Sequence, residues 1–228
     1  MLNHRVLAGG LALIASLSGL GCHSTGGSFL VFGGSSEPQE DLVDAVAGAR
    51  GELAGTQEDF AVSLHLFQRL TTPQAVELEE LSDEFEDALS ACQERASDLQ
   101  ERIESVKSES DHLLQGWTTE LEQYSFEAMR KKSEAQMKDT QVRSERVQAS
   151  LASVQEHMEP VLKKLTDYEL FFHHNLNARA IATLGDTYKE FDSEFKALDA
   201  EVTKAKAEVE AFLKAFAVEP APVPAPAK

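Results

Sequence analysis

Between Leu78 and Phe172, apolar residues recur at steps of three and four, closing a cycle every seven. In the first half one row is Leu78, Phe85, Cys92, Leu99, Val106 and Leu113, with Leu81, Ala88 and Trp117 set between. In the second half the rows are Phe126, Thr140, Val147, Val154, Val161 and Tyr168, and Met137, Leu151, Met158, Leu165 and Phe172. Spacing of this kind gathers each set onto one helical stripe. The double run from Pro73 to Phe172 therefore predicts two antiparallel helices that meet at a turn near Gln123-Tyr124-Ser125. Each arm has roughly 48 residues, on the order of 70 Å at about 1.5 Å per residue. A sustained seven-residue period predicts a left-handed supercoil. Pro160 removes a backbone donor and predicts a kink; the stripe runs on in phase across it, so the expectation is a bend and not a break. Toward the turn, Ser110, Ser133, Thr140 and Ser144 sit where apolar residues would pack better. Less stability and more motion are expected there.

Two further helices flank this hairpin. The first spans Pro38 to Leu70, with the stripe Leu42, Val46, Ala49, Leu53, Phe60, Leu64 and Phe67 and with Ser35 or Ser36 as cap. Gly48, Gly51 and Gly55 weaken it or permit a close helix approach. Thr71-Thr72-Pro73 reads as a stop and restart, with Thr72 capping the next helix. The last helix carries Ile181, Leu184, Tyr188, Phe191, Phe195, Leu198, Val202, Ala205, Val209, Phe212 and Phe216, and ends before Pro220. The fold class is all-α: an elongated antiparallel coiled-coil or four-helix bundle over 38–217, with a projecting two-helix hairpin and a Pro/Ala-rich tail, 218–228. The first arm outlasts the first helix by roughly 15 residues, so the turn should project by about 20 Å. Trp117, Leu121, Tyr124, Phe126 and Met129 lie on that projection. They either close the two-helix tip or form a contact surface for a membrane or a partner.

The N-terminal pattern is different. Met1–Arg5 is short and basic, and Val6–Leu17 is an apolar run too short to span a bilayer. Small residues follow, so 1–21 reads as a secretory signal. The sequence Leu17-Ser18-Gly19-Leu20-Gly21-Cys22 resembles a bacterial lipoprotein signal, which implies cleavage before Cys22 and its lipidation. Gly19 departs from that pattern, standing where a branched apolar residue is usual. Multiple acyl chains anchor stably. His23 follows, where an aspartate would imply inner-membrane retention, so the expected location is the periplasmic side of the outer membrane. Residues 22–37 read as a flexible tether, Gly- and Ser-rich around the patch Phe29-Leu30-Val31-Phe32.

Charge narrows the partners. The 228 residues carry a formal net charge of −18, which disfavours nucleic acid and anionic lipid surfaces. Pro73 to Glu122 holds 15 acidic and 3 basic residues, whereas Gln123 to Leu176 holds 8 of each. Folding the hairpin should bring Arg143 and Arg146 toward Glu101–Glu109. The two cysteines, Cys22 and Cys92, make no disulfide framework, and Cys92 falls on an apolar stripe in acidic surroundings that oppose a low thiol pKa. His173 and His174 are adjacent and point about 100° apart on a helix, which suits one metal ion poorly, even with Glu169 four residues before. Glu109-x-x-His112 is a single match to a di-iron motif that needs two. No phosphate-binding glycine loop, nucleophile elbow or CxxC occurs. No catalytic residue, metal ligand or cofactor is expected.

The joint His173-His174-Asn175-Leu176-Asn177-Ala178-Arg179-Ala180-Ile181-Ala182, with Tyr124-Ser125 and Met158-Glu159-Pro160-Val161-Leu162, resembles an uncharacterised bacterial family catalogued as domain of unknown function twenty-nine fifty-nine. The likeness runs from about Asp41 to Phe212. It implies a helical, coiled-coil envelope protein, sometimes with a lipoprotein signal, and brings no catalytic residue or ligand. Read on their own, Asn177 caps the helix that follows, Asn175 ends the preceding one in a left-handed conformation, and Arg179 reaches its last carbonyls. The functional expectation is a lipid-anchored periplasmic scaffold, spacer or adaptor with an envelope protein partner. The rival is a soluble periplasmic binding or chaperone-like helical module. Homo-oligomerisation stays open.

Overall fold

The computed structural model describes residues 37–72, 77–184 and 187–216. The expected signal, the tether with Cys22, and the tail lie outside the described residues, as does Pro73. Helix α1 spans Glu37–Leu70, α2 Leu78–Leu121 and α3 Glu127–Asn175. A short α4, Ala178–Ile181, runs into a 3-10 turn, Ala182–Leu184, and α5 spans Thr187–Phe216. The fold is all-α, with the long helices packed antiparallel. Helix α1 lies against α2 and α5, and α3 lies against the same two, so the four long helices form a ring around one core.

Membership of a ring explains why the buried stripes are wider than a two-helix seam. On α2 the structure buries Leu81, Phe85, Ala88, Cys92, Leu99 and Val106 as the periodicity predicts, and adds Leu89. On α1 it adds Ala45, Thr56, Ser63, Leu66 and Leu70. Each helix faces two neighbours, so a third position per heptad turns inward. At one end the core is aromatic. Phe67 lies 4.4 Å from Tyr168, 5.2 Å from Phe191, 6.2 Å from Phe172 and 6.4 Å from Phe85, ring centre to ring centre. One side chain of α1 thus touches α2, α3 and α5 together.

Several boundaries differ from the pattern. Helix α2 begins at Leu78, and its cap residue Glu77 is left-handed at φ 61°. Thr72 does not cap it. The Thr71 hydroxyl donates to the Phe67 carbonyl at 2.8 Å and that of Thr72 to the Gln68 carbonyl at 2.8 Å, so both close the end of α1. The last helix is not continuous from Ile181. The Thr183 hydroxyl donates to the Ala180 carbonyl at 2.6 Å and the Thr187 hydroxyl to the Leu184 carbonyl at 2.7 Å, local bonds that compete with helix continuation. Asn175 is not left-handed: Glu77 alone has positive φ among the described non-glycine residues. Phe126 precedes α3 in extended conformation and so does not join the stripe in which its spacing placed it. Pro160 lies inside an unbroken α3, on its exposed side.

Candidate interaction site

The turn between α2 and α3 gathers the aromatic candidates. Helix α2 closes with the Gln123 amide donating to the Glu120 carbonyl at 3.0 Å. Helix α3 opens with the amides of Met129 and Arg130 donating to the Phe126 carbonyl at 3.0 and 3.1 Å. Phe126 thereby stands at the helix entry with its ring out, 65% exposed. Leu121, Tyr124 and Met129 are half-buried. Trp117 is half-buried too, and its indole N–H donates to the Ser133 hydroxyl at 2.7 Å. Of the tip residues, Trp117 is thus tied across the hairpin, while Phe126 offers its face to solvent.

The charges around this turn stay local. Glu127 pairs with Arg130 at 3.3 Å and Lys131 at 3.6 Å, Glu134 with Lys138 at 2.7 Å, and Asp139 with Arg143 at 2.7 Å, all within α3. Arg143 turns to its own helix instead of crossing to the acidic stretch of α2. The acidic side chains from Glu77 to Asp87 are solvent-exposed, with Glu84 held at 3.4 Å by Arg69.

At the joint, the Asn177 carboxamide oxygen accepts the Ala180 amide at 3.0 Å and so caps α4. The Asn175 carboxamide donates to the Phe171 carbonyl at 3.2 Å. Arg179 is exposed and reaches none of the carbonyls of α3 among the described residues. His173 and His174 are exposed, with ring centres 5.0 Å apart at 76°. Among the described residues no three His, Cys, Asp or Glu side chains gather as metal ligands, and no helix is long and apolar enough to cross a membrane.

One polar arrangement escaped the sequence reading. Arg95 of α2 donates to Glu52 at 2.6 Å and Asp59 at 2.9 Å on α1, and Arg102 lies 3.6 Å from Glu52. The two carboxylates hold the Arg95 guanidinium protonated, above its ordinary range. The arginines lie across glycines: a Cβ on Gly55 would come within 2.7 Å of Arg95 Nε, and one on Gly48 within 3.1 Å of Arg102 Nη1. The close approach at these glycines is by side chains, not by helix backbones. The signal was present, since Gly48 and Gly55, Glu52 and Asp59, and Arg95 and Arg102 are each seven apart. Below this ladder Cys92 is buried, 3.1 Å from the Ser63 hydroxyl. Burial pushes its thiol up to about 12, against a weaker opposing pull from Ser63.

The family model for proteins of unknown function numbered DUF2959 matches residues 34–216. The chain belongs to this family. The match takes in all four long helices, the turn, the joint and the charge ladder. No curated protein and no solved structure matches the chain.

Proposed function

We propose that the chain is a lipid-anchored scaffold, spacer or adaptor of the bacterial envelope, held by Cys22 on the periplasmic side of the outer membrane. In this reading the α2–α3 turn is the end presented to an envelope protein partner. The observation that carries it is Phe126, 65% exposed at the junction of the two longest helices, which have 44 and 49 residues against 34 in α1 and 30 in α5. The register supports a projecting turn. Ser63 meets Cys92 between α1 and α2, and Lys164 meets Glu194 at 2.8 Å between α3 and α5. Carried along antiparallel neighbours at equal rise, these contacts bring the start of α1, Glu37, level with about Thr118 and the end of α5, Phe216, level with about Val142. Beyond those levels α2 runs on to the turn for about 5 Å and α3 for roughly 20 Å. A large apolar ring fixed on a helix end suits a protein contact, where aromatic anchors dominate binding.

The test is in-cell photocrosslinking from a photoreactive residue at position 123, in the full chain and in Phe126→Ala. A discrete crosslinked protein, lost in Phe126→Ala, is the expected result. Crosslinks only to lipid or to the chain itself overturn the adaptor reading. Anchoring is tested separately: processing should be blocked by globomycin, and Cys22→Ala should abolish acylation and membrane association.

A further inference from the structure

The interior of the bundle changes character along its length. On α2 the buried positions from Leu81 to Val106 are apolar, and on α3 so are those from Leu151 to Phe172. Nearer the turn the buried positions of α2 and α3 are Ser110, Ser133, Thr140, Ser144, Val147 and Ser150, five hydroxyls and one valine. The hydroxyls of Ser110, Ser133 and Ser144 find partners: Ser144 donates to Ser110 at 2.7 Å, the Gln148 amide donates to Ser144 at 3.0 Å, and Trp117 donates to Ser133 at 2.7 Å. A satisfied hydroxyl pair is tolerated in a core, but it contributes less to stability than the leucine pair it replaces.

The helices at this end are also weak in themselves. Gly116 sits inside α2 with nothing within 4 Å of where its Cβ would lie, so no packing requires it there. The Thr118 and Thr119 hydroxyls fold back on the carbonyls of Leu114 and Gln115 at 2.8 and 3.2 Å. The ion pairs of α3 in this stretch are exposed and run within α3, so they do not fasten it to α2. Among the described residues the ties between the two helices here include the hydroxyl bonds, a Thr118–Met137 contact at 3.7 Å and half-buried Leu113, Leu114, Trp117, Leu121, Met129 and Met137. Helical segments this short are marginal in water once their packing partner leaves.

We infer that α2 from Ser110 to Leu121 and α3 from Glu127 to Ser144 unfold and refold locally as one unit while the rest of the bundle stays closed. The boundary is the Ser110–Ser144 bond, where hydroxyl packing meets the apolar core. Opening parts Trp117 from Ser133 and frees the Phe126 turn from fixed geometry. The unit is independent of anchoring and of any partner, so the crosslinking result does not decide it.

Amide hydrogen exchange of the intact chain, followed by mass spectrometry on overlapping peptides, is the test. Peptides within 110–144 should share one exchange rate, at least about a hundredfold faster than peptides covering 81–106 and 151–172. Gly116→Ala should slow exchange about fivefold throughout the unit, including α3, which the substitution does not touch. Protection of 110–144 equal to that of the apolar core overturns the inference. So does a rate that climbs residue by residue toward the turn and, in Gly116→Ala, slows on α2 alone, since that is fraying and not a unit.

Discussion

Gly55→Ala should destabilise this protein, although glycine inside a helix is ordinarily improved by alanine. The ordinary gain is about 1 kcal/mol, from helix propensity and a less mobile unfolded chain. At Gly55 the new methyl would lie 2.7 Å from Arg95 Nε and 2.8 Å from Nη1, so the guanidinium must move. Moving it breaks bonds of 2.6 Å to Glu52 and 2.9 Å to Asp59. Each charge-assisted bond contributes about 1.5–3 kcal/mol when well buried. These side chains are 28%, 15% and 23% exposed, and water partly replaces what is lost, so the pair together is set at about 2 kcal/mol. The net is a loss of about 1 kcal/mol. Gly51, whose Cβ would meet nothing within 4 Å, supplies the control: Gly51→Ala should gain about 1 kcal/mol. The decisive arm is Gly55→Ala in an Arg95→Ala background, where the obstruction is gone and the ordinary gain returns, for a coupling of about 2 kcal/mol. Urea unfolding followed by circular dichroism reads all four corners of the cycle at constant m. A Gly55→Ala gain of the same size in both backgrounds would refute the reasoning.

Phe67→Ala should cost about 3–5 kcal/mol by calorimetry, because its ring touches three other helices at once and the cavity cannot close by shifting one neighbour; a loss below about 1 kcal/mol would mean that the end of the core repacks freely. Cys92 should resist maleimide at pH 8 in the native protein and react fully in urea, since the thiolate is the nucleophile and its thiol is pushed up to about 12. The folded state then holds that proton more tightly than the unfolded chain does. Its contribution to stability is fully present below about pH 9 and is lost as pH rises toward 12, so stability should fall more steeply above pH 9 than in Cys92→Ala. Parallel curves for the two proteins would contradict this.

Helix identity and the inward face were legible in the chain because both follow from the 3.6-residue period, and nearly every row of apolar residues became a buried row. The turn at Gln123–Ser125 was legible as well, since the rows on either side lose phase there. The ends of helices were not. Where α2 begins and where the final helix breaks depend on which hydroxyl reaches which carbonyl, as at Thr72 and Thr183, and several local solutions differ by little. Of the candidate site, the sequence determined which aromatics cluster at the turn. Only the tertiary structure decided that Trp117 is tied to Ser133 while Phe126 stands free, because that depends on where a partner helix places a hydroxyl. The same holds for the glycines. In the sequence Gly48, Gly51 and Gly55 are three equal weaknesses; in the fold Gly55 and Gly48 accommodate arginines and Gly51 accommodates nothing. Periodicity is a property of one helix and can be read from one helix. Register between helices is set by side chains more than thirty residues apart in the chain, such as Arg95 and Asp59, and is fixed only when they meet.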